Sequence, residues 1–298
     1  MTPYFNRLTI SFILITIFLS CMNNNKTERV NASENSNTTV LESHKNTYQP
    51  GSDYTLVWAD EFEGETINTD NWNFQVEEAG RFNEEWQRYT NSGDNAYIKD
   101  NCLVIKAVHE SNKHGKNQYT SARLNTANKQ TWTYGKIVAR IKLPYGEGIW
   151  PAFWMLGANI DENGGDTPWP QSGEIDIMEL FGFRNDSVVE GNLHYENSAG
   201  KYKMKGAVDF KLDKGKFADN FHTFAIEWNA NSITWSIDGQ KFGSQSITSK
   251  DFVAFHKDFF IILNIAVGGS FAGRPNTTTN FPQYMYVDWI RVYQQNKD

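Results

Sequence analysis

The chain is poor in cysteine, has no surplus of basic residues and contains no apolar run long enough to span a bilayer comfortably. With 2 cysteines among 298 residues, one disulfide is the most that it could form. The net charge of -7 argues against nucleic acid as a partner. There is no zinc, nucleotide or haem motif either, so we expect no cofactor for catalysis.

The longest apolar run, LTISFILITIFLS, follows Arg7 near the N-terminus. This pattern is typical of a targeting segment, and we predict a signal peptide over residues 1–20. The run ends in FLSC, which resembles a bacterial lipobox in which Cys21 is lipidated. Acylation of Cys21 would exclude a disulfide with Cys102, which we expect to be an inert core residue. The alternative is an ordinary signal peptide that is cleaved nearby.

The lipobox implies an exported bacterial lipoprotein anchored to a membrane, either at the periplasmic face of the outer membrane or at the cell surface. Residues 21–50 are rich in Asn, Ser and Thr and carry almost no large apolar side chains. This composition predicts a disordered tether between the lipid anchor and a folded domain. The folded domain then covers residues 51–298.

The predicted domain alternates between short apolar segments and turn signals. In KIVARIKL, the side chains of Ile137, Ala139 and Ile141 point to one face and the basic residues to the other. Turn signals such as NSGD, PYGEG and IDGQ separate these segments. No segment has a convincing helical period of 3.6 residues. The sequence therefore predicts an all-β domain, either a sandwich or a barrel.

One apolar segment, GEIDIMEL, carries three acidic residues. In a regular strand Glu174 and Asp176 share a face, whereas Glu179 points to the opposite face. A β-bulge inserts one residue and resets this alternation, so that all three acids project from one face. Ile175 and Ile177 then point to the core. We therefore predict a bulge within this strand.

Three neighbouring like charges repel one another and add nothing to the stability of a sheet. They suit a retaining glycosidase, in which one carboxylate is the nucleophile and another, about 5–5.5 Å away, is the general acid/base. Asp176 lies between the two glutamates and can share a proton with the nucleophile. Aromatic residues make up 14% of the chain, which suits stacking against sugar rings. A solvated acidic face or a cation site is the alternative.

Four segments together resemble glycoside hydrolase family 16, in its laminarinase-like endo-β-1,3-glucanase branch. They are NEEWQRYT, WPAFWMLG, GEIDIMEL and DWIRVY, and the resemblance runs from about Leu56 to Tyr293. The extra residue Met178 separates the chain from the lichenase and xyloglucan-transferase branches. The resemblance implies a β-jelly-roll sandwich of two antiparallel sheets with a concave substrate cleft.

The resemblance also implies roles for individual residues. Glu174 resembles the nucleophile, Glu179 the acid/base and Asp176 a helper. Asn83 belongs to a segment that resembles the Asn-Asn-Glu of laminarinases, although Phe82 stands at its first position. The sugar-binding residues implied by the resemblance are Trp150, Trp154, Trp169, Asn83, Arg123 and His194.

Members of this family often carry a structural Ca²⁺ on the convex face. The resemblance maps its ligands to Asp288 in the last strand and, more loosely, to Glu61 and Asn101, with main-chain carbonyls near the start of the domain contributing. Asn101 stands where glycine is usual, and both residues accept a left-handed backbone. Oxygen ligands of this kind are those that calcium takes.

The activity implied by the resemblance is endo-acting, retaining hydrolysis of β-1,3-glucan such as laminarin, with tolerance of mixed β-1,3/1,4 linkages. One alternative is a hydrolase of the same fold that acts on a galactan, as an agarase, porphyranase or carrageenase. Another is a glucan-binding protein without activity, and a third is transglycosylation as the main reaction. We expect a monomer whose partners are a β-glucan polysaccharide and the lipid anchor.

Overall fold

The computed structural model describes residues 48–111 and 118–296. The predicted signal peptide, Cys21 and nearly all of the predicted tether lie outside the described residues. Within the described ranges, no helix is long and apolar enough to cross a membrane. Strands make up most of the regular structure, as the all-β prediction requires.

The strands are β1 (Tyr54–Asp60), β2 (Asn73–Phe74), β3 (Gln87–Tyr89), β4 (Ala96–Lys99), β5 (Cys102–His109), β6 (Tyr119–Ser121), β7 (Arg123–Asn125), β8 (Gly135–Lys142), β9 (Ile149–Gly157), β10 (Glu174–Leu180), β11 (Val188–Glu196), β12 (Tyr202–Lys211), β13 (His222–Trp228), β14 (Ser232–Ile237), β15 (Gln240–Ser246), β16 (Phe259–Val267) and β17 (Gln283–Gln295). One short helix, α1, covers Gly269–Ala272, and 3₁₀ helices cover Asp161–Asn163, Gly182–Arg184 and Lys250–His256.

These strands form two sheets. The ten-stranded sheet has the order β15-β14-β13-β8-β17-β5-β6-β3, with β1 paired to β17 and β4 paired to β5. The seven-stranded sheet has the order β12-β11-β10-β9-β16-β7-β2. The described strand pairs are antiparallel except β3 with β6, which are parallel. The predicted sandwich of antiparallel sheets is therefore confirmed, with one parallel pair at an edge.

The core lies between the two sheets. Ile137, Ala139 and Ile141 of β8 point into it from the ten-stranded sheet, and Ile175 and other residues of β10 point into it from the seven-stranded sheet. The alternation predicted for KIVARIKL is thus confirmed. Cys102 is buried, as expected of a core residue.

The outer face of the seven-stranded sheet is covered only in part. Phe260 and Ile262 of β16 point outward and pack with Leu156 and Ile160 in a small apolar cluster. Beside this cluster, the outward side chains of β9, β10 and β11 are acidic, aromatic and amide residues. This part of the sheet carries the candidate site.

Candidate active site

The predicted bulge is present in β10. On one side Asp176 lies opposite Trp154 of β9 and Met178 lies opposite Phe153, so the register shifts between Asp176 and Met178. On the other side the register with β11 shifts between Asp176 and Glu179. Ile177 and Met178 both pack in the core, as two adjacent residues can only do at such an irregularity. The bulge therefore returns Glu179 to the face of the other two acids.

A tryptophan from the opposite sheet supports the bulge. The buried indole of Trp235 on β14 donates its Nε1 hydrogen to the main-chain oxygen of Asp176, with an N–O distance of 2.8 Å. Gly191 on β11 makes room for this ring, since a Cβ there would lie 2.4 Å from two indole atoms of Trp235. A side chain at position 191 would therefore displace the Trp235 indole, which holds the main chain of β10 at Asp176.

The acids face a cleft of about 430 Å³ that runs across the strands from β12 to β7. All nine catalytic and sugar-binding residues predicted from the sequence line it, as do further residues from neighbouring strands and loops. The structure thus brings together Glu174, Asp176, Glu179, Asn83, Arg123, Trp150, Trp154, Trp169 and His194.

Glu174 accepts one hydrogen bond from an indole and lies near an imidazole. The indole Nε1 of Trp169 donates to its Oε2 atom over 2.8 Å. The imidazole Nε2 of His194 lies 3.8 Å from Oε1 of Glu174 and 3.2 Å from Oδ2 of Asp176. The other imidazole nitrogen is 2.8 Å from the Tyr202 hydroxyl, which holds the ring in place. These groups stabilise a negative charge on Glu174.

Glu179 has different surroundings. The Trp150 indole donates to its Oε1 atom over 3.0 Å, and the Asn192 amide donates to its Oε2 atom over 3.3 Å. Its other electrostatic neighbours include the acids Asp176, Glu174 and Glu190. A buried carboxyl group among three acids favours its protonated form.

The pKa values of the three acids are all raised. Burial, and then the charge of Asp176, raises the pKa of Glu174 to about 8, although His194 and the Trp169 hydrogen bond act in the opposite direction. Burial raises the pKa of Glu179 well above its usual range, and Asp176, Glu174 and Glu190 add to this. Burial and the charge of Glu190 likewise raise the pKa of Asp176. The cluster therefore retains protons near neutral pH.

We predict that replacing Glu174 with Gln stabilises the fold at alkaline pH. The carboxyl group has a pKa of about 8 when folded against an ordinary value of 4.5, so the folded protein binds more protons between these pH values. Stability contributed by the neutral carboxyl is therefore lost as the pH rises from about 4.5 to about 8. Glutamine cannot ionise. We expect the wild type and Glu174→Gln to have equal melting temperatures at pH 4. At pH 8–9 the variant should melt at a higher temperature, and each kcal/mol of added stability corresponds to about 2–4 °C. A melting-temperature difference independent of pH would contradict this.

Arg123 lies deeper than expected for a sugar ligand. It is 5% exposed, and its guanidinium carbon lies 4.5 Å from the ring centre of Phe82 and 4.7 Å from that of Trp154. Its Nε donates to Gln75 over 2.8 Å. Trp154 in turn donates to Asn264 over 2.7 Å. Phe82, which replaces the asparagine of the laminarinase pattern, therefore packs on the arginine at the β7 end of the cleft.

Asn83 contacts the cleft through a constrained turn. It has a φ of 46° and Glu84 a φ of 55°, both in the left-handed region. The Asn83 amide donates to Glu85 over 3.2 Å, and its main-chain oxygen accepts from Ser270 over 2.8 Å. The turn is thus held against the segment that begins α1.

Sequence reasoning missed several residues of the cleft. Glu190 and Asn192 could have been found, because the period of 2 in VVEGNLHYE places them on the same face as His194. Tyr202 and Phe271 lie in segments without such a signal, and contacts across strands bring them to the site. The residues missed include Glu85, Phe181, Glu190, Asn192, Tyr202, Asn264 and Phe271.

The residues predicted for calcium lie on the other sheet. β17 pairs with β5 up to Val287 and with β1 from Ile290, so Asp288 lies between the ends that carry Asn101 and Glu61. Asn101 has a φ of 55°, as predicted. Asp288 accepts from Arg140 over 2.6 Å, and both Glu61 carboxylate oxygens accept from the guanidinium of Arg291. The Glu61 carboxylate is thus engaged by Arg291, and one oxygen of the buried Asp288 carboxylate is engaged by Arg140.

The sequence itself matches a family model. The model is described as Glycosyl hydrolases family 16 and covers residues 82–291, which is more than half of the chain. The chain belongs to glycosyl hydrolase family 16. The resemblance noted from its motifs is confirmed.

Relatives in family 16 cover much of the chain. A glucan endo-1,3-beta-glucosidase from Cryptopygus antarcticus is 41% identical over 237 residues, which are 74% of this chain and 83% of the relative. Glucan endo-1,3-beta-glucosidase A1 from Niallia circulans is 34% identical over 263 residues, which are 80% of this chain. The matched region is only 38% of the length of the Niallia circulans protein.

Solved structures of family 16 have the same fold. The laminarinase catalytic domain from Thermotoga maritima MSB8 superposes with a TM-score of 0.72 at 40% sequence identity, and the match covers 83% of this chain and 100% of that domain. The predicted jelly-roll sandwich is confirmed by this likeness together with the two observed sheets.

Proposed function

We propose that the protein is an endo-acting, retaining glycoside hydrolase that cleaves β-1,3-glucan by double displacement. The observation that carries this proposal is the bulged strand β10, which aims Glu174 and Glu179 into one cleft with different partners. In a retaining mechanism the two carboxyl groups must act on opposite sides of one glycosidic bond.

In the first step the Glu174 carboxylate attacks the anomeric carbon. The bond from that carbon to the leaving oxygen breaks while Glu179 donates its proton to this oxygen. A glycosyl ester on Glu174 remains. In the second step Glu179 takes a proton from water, the water oxygen attacks the anomeric carbon, and the ester bond breaks. The two carboxyl groups return to their starting state, and the anomeric configuration of the sugar is retained.

The surroundings of the two glutamates support this assignment. The Trp169 N–H, His194 and Arg123 all lower the pKa of Glu174 against the effect of burial, so that with a pKa of about 8 a fraction of the protein carries the attacking carboxylate near neutral pH. Burial and three neighbouring acids raise the pKa of Glu179, which favours the proton that the leaving group needs. Asp176 lies between them.

The aromatic side chains of the cleft suit a sugar polymer. On one side the Trp150 ring packs 5.1 Å from Phe181 and 5.7 Å from Phe271. On the other side Trp169 packs 5.5 Å from Tyr202. Trp169, Tyr202 and Phe271 are about half exposed, so their ring surfaces are available to a ligand. The similarity to endo-1,3-β-glucosidases and to a laminarinase supports β-1,3-glucan as this polymer.

A substrate panel tests the proposal. Purified protein from about residue 50 onward would be incubated with laminarin, mixed-linkage barley glucan, agarose, porphyran and carrageenan, and product sizes would be followed over time. We expect early oligomers of intermediate size from laminarin. Cleavage of barley glucan as well would add tolerance of mixed linkages. Cleavage of a galactan without cleavage of laminarin would show that the substrate is a galactan and not β-1,3-glucan. Binding without cleavage of any polymer would refute the proposal that the protein is an enzyme.

We also propose that a calcium ion stabilises the ten-stranded sheet near Asp288. The buried Asp288 carboxylate and the main-chain carbonyls of Glu61 and Asn101 would hold it. We expect chelation to lower the melting temperature, calcium to restore it, and Asp288→Asn to weaken the response to calcium. Equal melting temperatures with chelator and with calcium would refute a bound ion.

The lipid anchor remains a proposal based on FLSC. We propose that acylated Cys21 holds the exported protein at the outer membrane of a bacterium. Cys21→Ala is expected to move the full-length protein from the membrane fraction to the soluble fraction without changing its activity, because Cys21 precedes in the sequence every residue that lines the cleft. Detergent phase partitioning measures this, and a variant that stays in the detergent phase would contradict lipidation.

A further inference from the structure

A fourth carboxylate lies beside the three acids of β10. Glu190 on β11 is directly opposite Glu179 in the register of the two strands and lines the same cleft. The Asn192 amide joins the two side chains, since its Nδ2 lies 3.0 Å from Oε1 of Glu190 and 3.3 Å from Oε2 of Glu179. Neither step of the proposed reaction uses Glu190.

Glu190 is held by an arginine that it shares with another acid. Arg184, in the 3₁₀ helix that follows β10, donates from Nη1 to Oε2 of Glu190 over 2.7 Å. Its Nη2 donates to Asp209 of β12, which is the strand partner of Glu190. One positive charge thus faces two negative charges, and the group of three carries a net charge of -1 next to Glu179.

The charged groups that face Glu190 come from each neighbouring strand. They are Asp176 and Glu179 on β10, Asp209 on β12 and Arg184. β9 places only Ala152 opposite Glu179. Among these groups, Arg184 is the basic side chain that donates a hydrogen bond to Glu190. It also donates to Asp209, so its positive charge is shared by two carboxylates.

We propose that Glu190 is a positioning residue, which acts through Glu179 by keeping the proton on that side chain and by holding the Asn192 amide against it. The inference rests on the proposed role of Glu179 as the acid/base. Its physical basis is repulsion between two carboxylates that adjacent strands hold side by side in a partly buried cleft. Consistent with this, Glu190 is among the charges that raise the pKa of both Glu179 and Asp176.

The test is Glu190→Gln, which keeps the size of the side chain and one acceptor oxygen, for either Asn192 or Arg184, but removes the charge. A carboxyl group that loses a like-charged neighbour ionises at lower pH. The alkaline limb of kcat/KM on laminarin should therefore move to lower pH by about one unit. The acidic limb should move less. An unchanged alkaline limb would overturn the proposal.

A second measurement does not depend on glucan hydrolysis. In protein labelled with ¹³C at the Glu side-chain carboxyl groups, the Glu179 signal is assigned by its loss in Glu179→Gln. Its titration midpoint should fall by the same amount in Glu190→Gln. If the wild-type protein cleaves no glucan, the proposed function is refuted. If the titration midpoint of Glu179 is unchanged in Glu190→Gln, the proposed coupling between Glu190 and Glu179 is refuted.

Asp209→Asn is the matched control. It also removes one negative charge bonded to Arg184, but Asp209 lies one strand further from Glu179 and about half of its side chain is exposed. Water screens its charge more strongly, so the alkaline limb and the titration midpoint should move by a small fraction of the shift in Glu190→Gln. Equal shifts in the two variants would mean that only the overall charge of this region matters, which would refute the specific role of Glu190.

Discussion

Replacing Glu174 with Gln is expected to reduce the hydrolysis of laminarin by more than about 10⁴-fold. The amide cannot form the glycosyl ester, so both steps of the double displacement are lost rather than slowed. The fold should persist, because glutamine has the same size and can still accept the Trp169 hydrogen bond. The change also removes one of the charges that raise the pKa of Glu179.

Kinetics with laminarin at several pH values would measure this loss, and circular dichroism would monitor the fold. Glu196→Gln provides a matched control, because Glu196 lies at the end of β11, accepts a hydrogen bond from Gln171 and does not line the cleft. That variant should keep the wild-type rate. A Glu174→Gln protein with more than a small percentage of wild-type activity would show that another group is the nucleophile.

The face of the sheet that carries the acids was predictable from the sequence. In β10 the alternation of side chains fixes Glu174 and Asp176 on one face, and apolar residues at 175 and 177 fix the other. The bulge was predicted on chemical grounds, because a regular strand would point the Glu179 carboxyl group into the apolar core, away from the other two acids. The contact that stabilises the bulge could not be predicted from this pattern. Trp235 is 59 residues from Asp176 in the chain, and nothing local signals their hydrogen bond.

The separate roles of the two glutamates could be assigned from the sequence only through the family resemblance. Their protonation depends on donors and charges from other elements, such as Trp169 from the loop before β10 and Glu190 from β11. These contacts arise from strand register and loop packing, which short-range patterns do not encode. The stacking of Phe82 on Arg123 is of the same kind, because the two residues lie 41 positions apart.

The lining of the cleft has a further consequence for polymer binding. Phe82 and Arg123 fill the β7 end, whereas Tyr202 and Met204 at the β12 end are about half exposed. The open end therefore offers apolar surface beyond the acids, on the side where Trp169 also projects. Sugars bound there would contribute affinity away from the bond that is cleaved, and such remote binding can be used to orient the reacting sugar.

Replacing Glu179 with Gln is expected to slow hydrolysis of laminarin by about 10²–10⁴-fold. The size of the effect should depend on the leaving group, because Glu179 donates a proton to the leaving oxygen. A dinitrophenyl β-laminaribioside has a leaving group that departs as a stable anion and needs almost no protonation. The first step on this substrate should therefore remain fast in Glu179→Gln, whereas it should remain slow in Glu174→Gln.

The second step should still be slow in Glu179→Gln, since the carboxylate that takes the proton from water in the proposed mechanism has been removed. The glycosyl ester on Glu174 should then accumulate after a rapid burst of dinitrophenol, and intact mass spectrometry should detect the added disaccharide. The alkaline limb of kcat/KM should also disappear, because the raised pKa of Glu179 that produces it in the wild type is gone. If Glu179→Gln slows the dinitrophenyl substrate as much as laminarin and forms no ester, Glu179 is not the acid. The roles of the two glutamates would then have to be exchanged or assigned anew.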